Sequence, residues 1–94
     1  MKLNFAGKIA LITGGSGGIG LSVVEKLIKN KIKVIILDIK SPKRKILSNK
    51  LVEFKKVDLS DHKNLKSCLL EVKKKYKNIE YVVNAAGVLR VFFF

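Results

Sequence analysis

At 94 residues the chain has the length of one small domain, a size that buries roughly 60–65% of the surface its unfolded form exposes. An apolar content of 48% sets it apart from disordered chains, and one proline with no tryptophan excludes proline-rich ligands and aromatic cages. The net charge of +13 comes from 18 lysines and only two arginines, Arg44 and Arg90, scattered apart from the run Lys73–Lys75. That pattern reads as a solvated basic surface rather than a specific nucleic-acid reader, because arginine is the better bidentate ligand for phosphate and guanine.

"KIALIT", Lys8 to Thr13, is a short apolar run ending in glycine, as expected of a buried parallel strand. "GGSGGIG" follows. From Ile19 the apolar residues recur at Val23, Val24, Leu27 and Ile28, which is helical spacing, with Lys26 and Lys29 at the end favoured by the dipole and Asn30 as the stop. "KVIILD", Lys33 to Asp38, is a second buried strand. "IKSPKRKILSNK" is polar, basic and broken by Pro42, so it reads as a connection with at most a short helix. "LVEFKKVD", Leu51 to Asp58, is a third and weaker strand. Ser60 or Asp61 caps the next helix, whose expected inward face is Leu65, Cys68, Leu69, Val72 and Tyr76. Ile79 to Asn84 is a fourth strand. This alternation predicts an α/β fold: a Rossmann-like parallel sheet with helical crossovers.

The longest apolar runs, "VIIL" and "IALI", are too short to span a bilayer, and "MKLNFAGK" lacks the apolar segment of a signal peptide. Cys68 alone makes neither an internal disulfide nor a metal cluster. These features point to a cytoplasmic protein with no membrane partner and no specific nucleic-acid partner.

The glycines between Thr13 and Gly20 carry the functional signal. A strand that turns abruptly into a helix needs backbone angles that a side chain resists, and glycine also lets a ligand approach the main chain. The helix start offers unpaired N–H groups and the positive end of its dipole, which together suit a pyrophosphate. Asp38 ends the second strand 18 residues after Gly20, where an acid accepts hydrogen bonds from an adenosine ribose.

The glycines at 14, 18 and 20 fit Thr-Gly-x-x-x-Gly-x-Gly, "VDLS" places Asp58 and Leu59 after the third strand, and "NAAG" spans Asn84 to Gly87. With these motifs at this spacing, residues 6 to 90 resemble the short-chain dehydrogenase/reductase family. The resemblance implies a dinucleotide cofactor. Gly14, Ser16, Gly17, Gly18, Ile19 and Gly20 would line the pyrophosphate region, and Asp38 would hold the adenosine ribose. Asp58 and Leu59 would meet the adenine, and Asn84, Ala85, Ala86 and Gly87 would wall the nicotinamide-side ribose. A carboxylate at Asp38 repels a 2′-phosphate, so NAD is expected over NADP, with Lys40 as the one nearby cation.

A narrower likeness, in "NFAGKIALITG", the compact link from Asp38 to Asp58, and "NAAGVLRV" with Arg90, is to the family branch that oxidises cyclic dihydrodiols in siderophore biosynthesis. The family's chemistry uses a serine, an asparagine and a Tyr-x-x-x-Lys pair in which the lysine lowers the tyrosine pKa. Here Glu80 stands four residues after Tyr76 and Ala85 four after Tyr81, so no catalytic residue is assigned.

The sheet order expected is 3-2-1-4, truncated after the fourth strand. Strand 4 would then be an exposed edge and "VFFF", Val91 to Phe94, an apolar tail. On this reading residues 1–94 are the N-terminal, NAD-binding part of one domain, cut short by a gene fragment, a frameshift or an early stop. The catalytic half and the helices through which relatives assemble would be absent. Acting on an alcohol or dihydrodiol would need the complete chain. The rival readings are a catalytically inert nucleotide-binding or interaction module and a basic polyanion-binding protein.

Overall fold

The computed structural model describes residues 8–76, 79–85 and 90–93. The elements in chain order are β1 (Ile9–Thr13), α1 (Gly18–Lys29), β2 (Lys33–Asp38), α2 (Arg44–Leu47), β3 (Val52–Lys56), α3 (His62–Lys75), β4 (Ile79–Asn84) and β5 (Arg90–Phe93). They form one sheet of order β3-β2-β1-β4-β5. The first four strands are mutually parallel, in the 3-2-1-4 order that the alternation of strands and helices predicts. The end of the chain departs from expectation. Arg90–Phe93 is a strand, antiparallel to β4 in the register Tyr81↔Phe93 to Asn84↔Arg90. β4 is therefore an inner strand, and the outer strands of the sheet are β3 and β5.

The central strands are apolar on both faces because both faces are covered. Ile12, Val34, Ile36 and Val83 point to one side and pack with Val24 of α1 and Ile46 of α2. Leu11, Ile35 and Leu37 point to the other and pack with Val57 and with Cys68 and Val72 of α3. Val24 and Val72 are wholly buried, and each such side chain contributes about 1.5–3 kcal/mol by leaving water.

The helix ends follow from local chemistry. Asp61, not Ser60, caps α3: its carboxylate accepts the Asn64 amide at 3.1 Å. Asn30 ends α1 with its side-chain amide donating to the Lys26 carbonyl at 2.8 Å, and Lys31 takes the left-handed conformation at φ 63°. β3 is shorter than expected and ends at Lys56; Val57 packs into the core on the α3 side and Asp58 begins a turn with Ser60.

The inward face of α3 is narrower than its spacing suggests. Cys68 and Val72 are buried and Leu65 and Tyr76 half-buried, but Leu69 is 36% exposed. Beside it an apolar groove of about 330 Å³ runs between α3 and the sheet, lined by Leu11, Leu65, Leu69, Leu70 and Ile79, with Lys66 and Lys73 alongside. Among the described residues no helix is long and apolar enough to cross a membrane.

Candidate nucleotide-binding site

All four parallel strands end on the same edge of the sheet, which brings Thr13, Asp38, Asp58 and Asn84 to one side of the molecule. β1 lies where the winding reverses. The chain leaves it through α1 on one face towards β2, and returns from β3 through α3 on the other face to β4. In open α/β sheets the crevice at such a reversal, beyond the carboxyl ends of the strands, is where ligands bind.

The loop from β1 to α1 is shaped by its glycines. Gly14 and Gly18 sit at φ 77° and φ 58°, a region that side chains resist. The Gly14 amide is bonded back to the Leu37 carbonyl at 2.9 Å, so the loop starts tied to β2. A Cβ on Gly20 would lie 2.1 Å from the Gly14 carbonyl oxygen, so α1 comes against the loop more closely than any side chain permits. At the mouth the geometry is the reverse. A Cβ on Gly17 or Gly18 would meet nothing within 4 Å. Gly17 caps α1 in extended conformation with no side-chain acceptor, so the cap residue offers the first-turn N–H groups no side-chain partner. Ile19, on that turn, is 64% exposed.

Asp38 lies directly beside this loop. Its Oδ2 accepts the Ser16 amide at 3.3 Å and its Oδ1 accepts the Lys40 amide at 3.3 Å. The Ser16 hydroxyl donates to the Lys40 carbonyl, which ties the glycine loop to the chain after β2. The backbone carbonyl of Asp38 accepts the Val57 amide at 3.0 Å and so joins β2 to the turn holding Asp58.

Asp58 is exposed and accepts the Ser60 hydroxyl at 2.6 Å and the Ser60 amide at 3.0 Å. Those two bonds hold its carboxyl below the usual aspartate range. Leu59, next to it, is half-buried against the core on the α3 side. On the other flank the Thr13 hydroxyl donates to Asn84 Oδ1 at 2.9 Å, and the Ala85 amide donates to the Thr13 carbonyl at 2.8 Å. Gly14, Ser16, Gly17, Gly18, Ile19, Gly20, Asp38, Asp58, Leu59, Asn84 and Ala85 thus lie along one crevice edge. Ala86 and Gly87 fall outside the described residues. Sequence spacing did not single out the two ties across the crevice, Ser16 to Lys40 and Thr13 to Asn84. Both join residues far apart in the chain: the register of β1 with β4 sets Thr13 opposite Asn84, and Ser16 meets Lys40 where two loops come to rest.

A doubly wound parallel sheet with a glycine loop at its winding reversal and an acid at the end of the next strand defines a class of α/β proteins that hold nucleotides. Comparison with known proteins narrows this. The family model described as short chain dehydrogenase matches residues 8–94, and the chain belongs to that family. It is 35% identical over 81 residues to the dehydrogenase RED2 of Cochliobolus heterostrophus, covering 86% of this chain and 31% of RED2. It is 31% identical to the 3-oxoacyl-(acyl-carrier-protein) reductase FabG of Chlamydia pneumoniae, covering 96% of this chain and 39% of that protein. A short-chain dehydrogenase structure from Leptospira borgpetersenii with bound NAD+ superposes with a TM-score of 0.79 at 32% identity, covering 90% of this chain and 33% of that one. The chain therefore spans between three-tenths and four-tenths of the length of these relatives.

Proposed function

We propose that residues 1–94 are the dinucleotide-binding part of a short-chain dehydrogenase and that NAD is the nucleotide held. The observation that carries this is the meeting of three features. The α1 N-terminus is brought against the loop by Gly20, the mouth at Gly17 and Gly18 is open, and the Asp38 carboxylate lies beside Ser16. The open N–H groups suit a pyrophosphate, because a helix start concentrates both donors and positive dipole there. Asp38 accepts the hydroxyls of the adenosine ribose and disfavours a 2′-phosphate by charge repulsion. Asp58 and Leu59 flank the adenine, and Asn84 and Ala85 stand beside the nicotinamide ribose. Ile19 offers apolar surface to the bound dinucleotide at the helix start.

Bound NAD supplies a hydride acceptor. This chain's own residues bind and orient; the tyrosine and lysine that move the proton in complete relatives have no counterpart in its sequence. The reaction of the complete enzyme is hydride transfer between an alcohol and NAD. A cyclic dihydrodiol as the alcohol rests on sequence likeness alone, in "NFAGKIALITG", the short link from Asp38 to Asp58 and "NAAGVLRV", since the relatives above carry other names.

Calorimetric titration of NAD into the 94-residue chain and its Asp38→Ala variant tests the binding reading. Loss of a charge-assisted bond should weaken binding by about 1.5–3 kcal/mol. Unchanged affinity removes Asp38 from the site.

A further inference from the structure

We propose that Ser16 is a positioning residue for nucleotide choice: it fixes the Asp38 carboxylate in the orientation that accepts a ribose 2′-hydroxyl and rejects a 2′-phosphate. This rests on the nucleotide-binding reading above. Three hydrogen bonds close a ring between the glycine loop and the end of β2. Ser16 donates its amide to Asp38 Oδ2, Lys40 donates its amide to Asp38 Oδ1, and the Ser16 hydroxyl donates to the Lys40 carbonyl. The two amide bonds to the carboxylate are both 3.3 Å, at the long and weak end of the range. Neither alone holds the carboxylate in place. The hydroxyl bridge keeps the two amides spaced across it, one on each oxygen.

The ring leaves the site able to work. A carboxylate has about four acceptor positions, so each oxygen keeps one for a sugar hydroxyl. Lys40 enters the ring through its backbone N–H and C=O, so its part in fixing Asp38 does not depend on its ammonium group. This bears on nucleotide choice, because a cation next to the acid is otherwise the one feature that favours a 2′-phosphate. When the bridge is opened, the carboxylate is free to turn away from the ribose. A 2′-hydroxyl is then held less well and a 2′-phosphate repelled less. The two nucleotides respond in opposite directions, which a general loosening of the loop would not produce.

The test is titration of NAD and NADP into the 94-residue chain and its variants, with circular dichroism confirming the fold of each. Ser16→Ala should bind NAD about three- to tenfold more weakly, the cost of one hydrogen bond, and NADP as well as before or better. Ser16→Thr, which keeps the hydroxyl, should restore the NAD affinity. Combined with Asp38→Ala, Ser16→Ala should add less than about a twofold change, since partners in one network are not additive. Ser16→Cys, near in size but a weak donor, gives the same reading if the alanine variant does not fold.

An unchanged NAD affinity in Ser16→Ala, alongside a weakened Asp38→Ala, overturns the positioning role and leaves the nucleotide site standing. Equal losses for NAD and NADP, or a full loss persisting without Asp38, overturn it as well. An Asp38→Ala variant that binds NAD normally removes Asp38 from the site and this proposal with it, whereas a 94-residue chain that binds neither nucleotide overturns the nucleotide-binding reading itself.

Discussion

Gly20 is where sequence, packing and site meet in a single atom. Any larger residue must place a Cβ where the Gly14 carbonyl oxygen stands, and that obstacle is main chain, which cannot rotate aside. Gly20→Ala should therefore lower the unfolding free energy by about 2–4 kcal/mol in urea denaturation, the range of severe backbone and packing lesions. It should weaken NAD binding as well, because α1 must retreat from the loop. A fully stable Gly20→Ala variant would show that the close approach is not needed.

A second residue-scale expectation concerns Glu53, at the opposite end of the sheet. Burial pushes its carboxyl up, but the Lys75 ammonium at 2.6 Å and the Tyr76 hydroxyl at 3.0 Å outweigh this and hold it below the ordinary value of 4.5. A carboxyl whose folded pKa is depressed contributes stability above its unfolded pKa and loses it as pH falls through the folded one. Stability should thus decline as the solution is acidified below about pH 4.5, and Glu53→Gln should flatten that decline in melts taken across the acid range. An identical acid profile in the variant would remove Glu53 from the account.

Among the elements, α1 and α3 are held very differently. α1 is bounded by the glycine loop and lies on the face that also carries α2, with Val24 wholly buried. α3 is docked through Cys68 and Val72, while Leu69 and Leu70 stay exposed beside the groove. Burial pushes the Cys68 thiol pKa up, so the docked helix keeps that thiol unreactive. Its alkylation rate then reports how often α3 lifts away. Val72→Ala removes packing worth about 2 kcal/mol, which should speed alkylation by roughly thirtyfold at neutral pH. An unchanged rate would mean that the thiol is reached without α3 moving.

Legibility in the sequence follows the same physics. β1, α1 and β2 are readable because burial on both faces and a glycine turn leave local marks: unbroken apolar runs, then helical spacing. β5 is not, since Arg90–Phe93 shows no apolar–polar alternation and is a strand by pairing with β4. Leu69 misleads because helical spacing marks an arc, whereas the sheet beneath α3 meets only part of that arc. At the site, Asp38 and the glycines are legible from their separation along the chain. The hydroxyl bridge from Ser16 to Lys40 is not, because it depends on where two loops come to rest.

At the scale of the whole molecule, two surfaces compete as explanations of what the chain does. One is the crevice at the carboxyl ends of the strands, small and defined by a few backbone groups and two acids, Asp38 and Asp58. The other is the lysine-rich exterior behind a net charge of +13, which attracts any polyanion through a field that salt screens. NAD is itself an anion, so affinity alone does not separate the two. Location does.

The most direct measurement is therefore an amide-resolved NMR titration of the 94-residue chain with NAD, at low and at moderate salt. The account predicts shifts concentrated at Gly14 to Gly20, Asp38 and the Asp58–Leu59 turn at both salt concentrations, with α3 unmoved. Shifts spread over the Lys63–Lys75 face that vanish as salt is raised would contradict it, and would make the chain a basic surface on a dehydrogenase fold.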